Sequence, residues 1–410
     1  MARIFLGFRP ESAILRIRPS HMLSCRLLAG FILSFAALFN GCSGPRPVAA
    51  EGLPKLPEES SVPRSREAND VARFLAGLPG NAGSPYATLE QTDAWKEHKR
   101  QLDAMWHEAE GELLPGLRKF QTEELNDPAV RTPTVFYPFS GPDALTATLY
   151  FPHNPQYVMV ALEPAGTLPT PRQIEKKELP RYLSAIRDTV ASELGRSFFI
   201  TRQMDHQFRG QVTDGLLTPI LQLLARSGHT VLGFRYVRLD EAGLVIDRVP
   251  GYKAPTRYGN KGVEIEFQSD ADASVHHLFY FSVNLSNDRL RENTPFQQYL
   301  SRLTGTVSML KATSYMTHQG GFSMIRDALV SNSYAVLQDD SGVPFKKFAQ
   351  DRWKLQLYGD YNRPYGSFKW MEQDDLREAY KTTGPKALPM HVGYGYRRIT
   401  SNLLLATRLK

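Results

Sequence analysis

Two short loops carry the side chains best suited to chemistry. The first lies in Phe136-Tyr137-Pro138-Phe139-Ser140-Gly141-Pro142-Asp143, where an apolar run breaks into Ser-Gly-Pro-Asp. Gly and Pro turn the chain sharply, which leaves the Ser140 hydroxyl and the Asp143 carboxylate at a strand end. The second is Asp339-Asp340-Ser341-Gly342-Val343-Pro344, directly after the apolar run that ends at Gln338. Ligands of α/β folds bind beyond strand ends, so Ser140, Asp143, Asp339, Asp340 and Ser341 are candidates for binding or catalysis. The same residues serve equally as plain turn formers, and the sequence leaves both roles open. If both strands are central, the two loops converge on one cleft. Glu163 ends the run Val158-Met159-Val160-Ala161-Leu162, where a carboxylate is either an acid of raised pKa or a helix cap. His318 ends a helical stretch, where a cation suits the helix dipole. Two carboxylates in unlike surroundings suffice for glycoside-type acid–base chemistry.

Other signatures of chemistry are missing. There is no His-Glu-x-x-His, no Gly-x-Ser-x-Gly elbow, no P-loop and no dinucleotide fingerprint. Asp205-His206 and His276-His277 lack metal-ligand spacing, so neither a metal nor a cofactor is expected. Gly393-Tyr394-Gly395-Tyr396 reads as strand.

The elements that position these loops follow from hydrophobic period. Residues 67–128 read as a helical segment, with a capping-box pattern at Thr88-Leu89-Glu90-Gln91 and a helix face of Trp95, Leu102, Met105 and Trp106. The tryptophans are expected to anchor packing. From Thr134 come the runs TVFYPF, ATLYF and YVMVALE, read as strands, then helices over 181–204 and 215–227 and the strand TVLGFRYV. A similar order follows: VEIEF, LFYFSVNL, helices over 295–318 and 321–331, and the strand YAVLQD. Thr294-Pro295-Phe296-Gln297 marks the start of the first of these helices. At an offset of 117, Tyr182-Leu183-Ser184 matches Tyr299-Leu300-Ser301, and Thr189-Val190 matches Thr306-Val307. The expectation is therefore two duplicated β-β-α-α-β modules, 129–237 and 238–410, fused into one α/β (or α+β) domain with a mixed β-sheet flanked by helices. The second module adds the strand KLQLYG, a helical stretch over 372–381 and one or two C-terminal strands.

Charge and cysteine usage narrow the setting. The chain carries a formal +7, of which residues 1–41 hold +4, with Arg3, Arg9, Arg16, Arg18 and Arg26 against Glu11. The remaining +3 makes no concentrated basic face, so no nucleic-acid partner is expected. Arg26, the apolar run Leu27–Phe39 and the exit Asn40-Gly41-Cys42 have the length and polarity of a signal peptide, whether translation starts at Met1 or Met22. Leu38-Phe39-Asn40-Gly41-Cys42 resembles a bacterial lipobox, with Phe39 where Leu is usual. That resemblance implies cleavage before Cys42 and lipidation of its thiol by long acyl chains such as palmitate, which hold the protein on a membrane. Ordinary secretion with cleavage after Ala50 is the alternative. Residues 42–66, rich in Pro, Ser and charge, read as a flexible tether.

The segment FYPFSGPD, with the later QDDSGVP and GYGYRR…SNLLLATR, resembles the signature of a family of exported bacterial proteins over most of residues 70–410. The resemblance implies an envelope location and no activity. Taken together, the sequence points to an exported envelope lipoprotein, membrane-anchored and facing the periplasm or on the outer membrane, that binds a glycan, a lipid or a protein partner. The alternative is an envelope hydrolase in which Asp339, Asp340 or Glu163 serves as acid and base, with Ser140 or His318 assisting.

Overall fold

The computed structural model describes residues 62–409, apart from 128–129, 177, 196, 198–213, 250–259 and 362. The leader, Cys42, the tether up to residue 61 and Asp205-His206 lie outside the described residues. Helices α1 (Arg66–Leu75), α2 (Ala87–Glu90), α3 (Asp93–Glu112) and α4 (Leu114–Glu124) come first. Then follow β1 (Thr134–Pro138), α5 (Ala144–Tyr150), β2 (Gln156–Ala161), α6 (Pro171–Lys176), α7 (Leu179–Leu194) and α8 (Leu217–Arg226). Strands β3 (His229–Leu239), β4 (Val245–Asp247), β5 (Lys261–Ser269) and β6 (Val275–Ser282) lead to α9 (Asn287–Arg291) and α10 (Thr294–Arg302). The chain continues through β7 (Thr306–Leu310), α11 (Ser323–Asn332), β8 (Ser333–Gln338), β9 (Trp353–Gly359), α12 (Asp374–Thr382) and β10 (Asn402–Arg408).

All ten strands form one mixed sheet in the order β4-β3-β5-β6-β2-β1-β7-β8-β10-β9. The five central strands, β6, β2, β1, β7 and β8, are mutually parallel, and the strands at both margins are antiparallel. The fold is thus mixed α/β, as its sequence pattern implies. Helices cover both faces, which is why β1, β7 and β8 read as unbroken apolar runs rather than alternating ones. Val135 and Tyr137 of β1 point into the core with α1, α3, α4, α5, α7 and α8, while Phe136 points into the opposite core with α10 and α11.

Several expectations need correction. ATLYF is the body of helix α5, because Asp143 caps that helix: its Oδ1 accepts the Thr146 N–H at 3.0 Å. A cap at the right place outweighs the strand preference of Thr and Tyr. The helix expected over 295–318 ends at Arg302; Gly305 takes φ +66 and the β-branched pair Thr306-Val307 opens strand β7. Thr189-Val190 is therefore helical and its supposed counterpart Thr306-Val307 is strand. Tyr182 and Tyr299 also lie in opposite cores, so these matched residues are not structural equivalents. The cap of α3 is Thr92, not Thr88, and that of α10 is Asn293. Gly393–Arg398 forms a 3-10 turn, not a strand. The tether ends earlier than residue 66: Val62 is buried, and Ser65 N–H bonds the Leu232 carbonyl at 2.9 Å. No helix among the described residues is long and apolar enough to cross a membrane.

Candidate functional site

The chain leaves β1 through α5 to reach β2 on one side, and leaves β7 through α11 to reach β8 on the other. The two helices lie on opposite faces, so the connections diverge between β1 and β7 and open a crevice at the carboxyl ends of the strands. Such a switch point is where doubly wound sheets bind ligands. Here it opens into a cleft of about 1060 Å³. The ends of β1 (Phe139, Ser140, Gly141, Asp143), β2 (Ala161, Leu162, Glu163), β6 (Val283, Asn284) and β7 (Lys311 to Met316) all line it, together with Asp340 beyond β8.

Both loops that bound the crevice hold left-handed backbone. Phe139 and Gly141 have φ +60 and +56, and Ala312, Ser314 and Tyr315 have φ +52 to +55. For residues with a Cβ this costs roughly 1–2 kcal/mol each, so neighbours must impose it. Asp339 Oδ2 accepts the Ala312 N–H at 2.7 Å, Ser341 Oγ accepts the Thr313 N–H at 2.8 Å, and the Tyr394 hydroxyl accepts the Ser314 N–H at 3.0 Å. Ser341 itself donates to Asp339 Oδ1 through both its N–H and its hydroxyl. The rings of Tyr315, Phe368 and Tyr394 pack together as an aromatic wall, with centroids 5.3–6.2 Å apart.

Lys311 sits under the floor, fully buried. Its ammonium contacts Asp143 Oδ2 at 2.7 Å, Glu193 Oε1 at 2.8 Å and Thr146 Oγ1 at 2.9 Å. Tyr137 donates its hydroxyl to Asp143 Oδ2 at 2.9 Å. Burial, and then the Asp143 charge, push Glu193 up to about 7. Burial and the Asp339 charge do the same to Asp340, also to about 7, although Tyr315 and Asn402 donate to it.

The structure thus brings Ser140, Asp143, Glu163 and Asp340 to one cleft. Ser140 donates to the Gly141 carbonyl at 2.9 Å, shaping the turn. Asp143 is both a helix cap and an ion-pair partner. Asp339 and Ser341 stand behind the cleft and brace the Ala312–Tyr315 loop. His318 does not line the cleft: it closes the 3-10 turn Met316–His318 edge-on to Tyr315, and burial lowers its imidazole to about 4, so it is neutral. Lys311, Glu193, Tyr315 and Tyr394 were not legible as site residues. Lys311 had a signal, since it ends the apolar run Val307–Leu310 as Ser140 ends β1. That run's helix-like spacing with residues 295–302 hides the strand end in the sequence. Among the described residues no cluster of His, Cys, Asp or Glu is placed to hold a metal ion. No family pattern, curated protein or solved structure matches this chain.

Proposed function

We propose that this is an exported envelope lipoprotein, anchored through Cys42, whose cleft binds a small molecule built on a hydroxyl-rich ring, with a nucleoside favoured. One observation carries the ligand reading. Glu163 lies at the carboxyl end of β2, twenty residues beyond Asp143, and lines the cleft with the left-handed Gly141 turn of β1. In doubly wound sheets an acid so placed hydrogen-bonds the ribose hydroxyls, and the glycine lets the ligand approach the backbone. This step is an analogy of fold position; the aromatic wall adds a surface on which a base can stack. A phosphorylated ligand fits less well, because the Asp143 carboxylate already occupies the N-terminus of α5.

Sugars of a glycan offer the same diol, so the test has both arms. The full chain is titrated calorimetrically with adenosine, S-adenosylmethionine, NAD and N-acetylglucosamine. Binding of the unphosphorylated nucleosides, weakened at least tenfold in Glu163→Ala, is expected. Sugar binding alone would move the reading to a glycan, and no binding in any arm would end it. For the anchor, Cys42→Ser should leave the membrane fraction or persist as an unprocessed precursor; unchanged retention would count against lipidation.

A second reading, an envelope hydrolase, draws support from Asp340, whose carboxyl holds its proton up to about 7 and faces the same cleft as Glu163. Release of nitrophenol from aryl glycosides, lost in Asp340→Asn, is its signature, and inert glycosides would dismiss it.

A further inference from the structure

Glu193 is an odd residue to find where it stands. It is the penultimate residue of α7, at the end where helix carbonyls already disfavour a negative charge. Its side chain is 1% exposed. Oε1 meets Lys311, but Oε2 has no hydrogen-bond partner among the described residues, and the side chain lines the cleft. Buried acceptors are almost always paired, so an orphan facing a ligand-sized space asks for a donor.

The surroundings define that donor. Lys311 has spent its three N–H groups on Asp143, Glu193 and Thr146. Tyr137, from β1, has given its hydroxyl to Asp143. Among the helices packed against α7, His98 of α3 faces Arg187, Arg226 of α8 pairs with Asp103, and Arg172 and Glu175 of α6 are exposed; from the strand side the buried Asp339 carboxylate also feels the Lys311 charge. Two carboxyl groups therefore share one ammonium. Burial and the Asp143 charge let Glu193 hold a proton up to about 7. With that proton the group is neutral. Without it the group carries one net negative charge, which a second cation would balance.

We infer that Glu193 and Asp143 form a subsite for an ammonium group on the ligand, and that the ammonium replaces the proton on Glu193. The proton leaves to solvent, and no other bond changes. This rests on the nucleoside reading of the cleft and adds to it a cationic substituent near the ring. Because Glu193 gives up its proton near neutrality, the ammonium competes poorly at acid pH and well at alkaline pH.

The experiment compares adenosine with 5′-amino-5′-deoxyadenosine, which differs by one ammonium in place of one hydroxyl. The full chain is titrated at pH 6, 7 and 8 in buffers of different ionisation enthalpy. The amine should bind at least tenfold more tightly than adenosine at pH 8, with that advantage shrinking towards pH 6 and with protons released on binding. In Glu193→Gln, nearly isosteric, the ratio of amine to adenosine affinity should fall to about one at every pH; the wild-type pH series stands even if this variant folds poorly. Equal affinities at pH 8, or an advantage unchanged in a folded Glu193→Gln, would overturn the subsite alone. Failure of adenosine itself to bind would overturn the nucleoside reading and this inference with it.

Discussion

Two of the buried charge clusters among the described residues differ in kind, and only one of them resembles a binding site. At the margin of the sheet, Glu264 of β5 is buried with both oxygens engaged, by Arg235 of β3 at 2.6 Å and by His277 of β6 at 2.9 Å. Arg235 also reaches Asp247 at 2.7 Å, and the neighbouring Glu266 holds Arg64 at 2.8 Å. These side chains project from regular strands and tie them together. Beneath the crevice, Lys311, Asp143 and Glu193 are as deeply buried, yet one carboxylate oxygen is unmatched, the backbone above is left-handed, and a cleft adjoins. Buried charge by itself therefore marks neither function nor its absence. An unmet acceptor, imposed backbone strain and open volume in one place do.

Removing one charge from each cluster should separate them most clearly. Lys311→Met leaves two carboxyl groups facing each other out of water, and should cost about 3–5 kcal/mol at pH 8. The cost should fall at pH 5, where Glu193 takes up a proton. Glu264→Gln in the marginal cluster should cost about 1–3 kcal/mol and leave ligand titrations unchanged. Urea unfolding at both pH values measures each; equal costs, or a Lys311→Met cost below about 1 kcal/mol, would erase the distinction.

A finer probe is Asp340→Asn. Because the folded state raises the Asp340 pKa from the ordinary range to about 7, the native protein binds the extra proton between those values. Its stabilising contribution is complete below the ordinary range and is lost as pH rises through about 7. Asn does not titrate, so the variant should gain on wild type by about 1–3 kcal/mol between pH 4 and pH 8. His98 and His318, lowered by burial to about 4, push the opposite way below their ordinary range, but the difference between variant and wild type cancels them. A flat difference across that range would mean that Asp340 is charged throughout.

The sequence reveals the two loops and their strands because Gly, Pro and Asp end apolar runs abruptly at Ser140 and Asp339. It also reveals that Glu163 ends β2. What it conceals is register and sheet order. Nothing local says that β7 lies between β1 and β8, or that Lys311 therefore projects beneath the β1 loop. Glu193 is hidden for another reason: on a helix of ordinary polarity it looks like one more solvated acid. Only the packing of α7 against the sheet turns it inward. The matched pairs at an offset of 117 misled because Leu, Tyr and Val recur in helix and strand alike, and Gly305 was needed to tell them apart.

Strand β10, the last in the chain, lies between β8 and β9, two strands made before it. It pairs with both, and its Asn402 donates to Asp340 while Tyr394, just ahead of it, anchors Ser314. The gap between β8 and β9 therefore stays open until residues 402–408 are in place. A chain that stops short of residue 402 carries a gap in its sheet as well as an unfinished cleft.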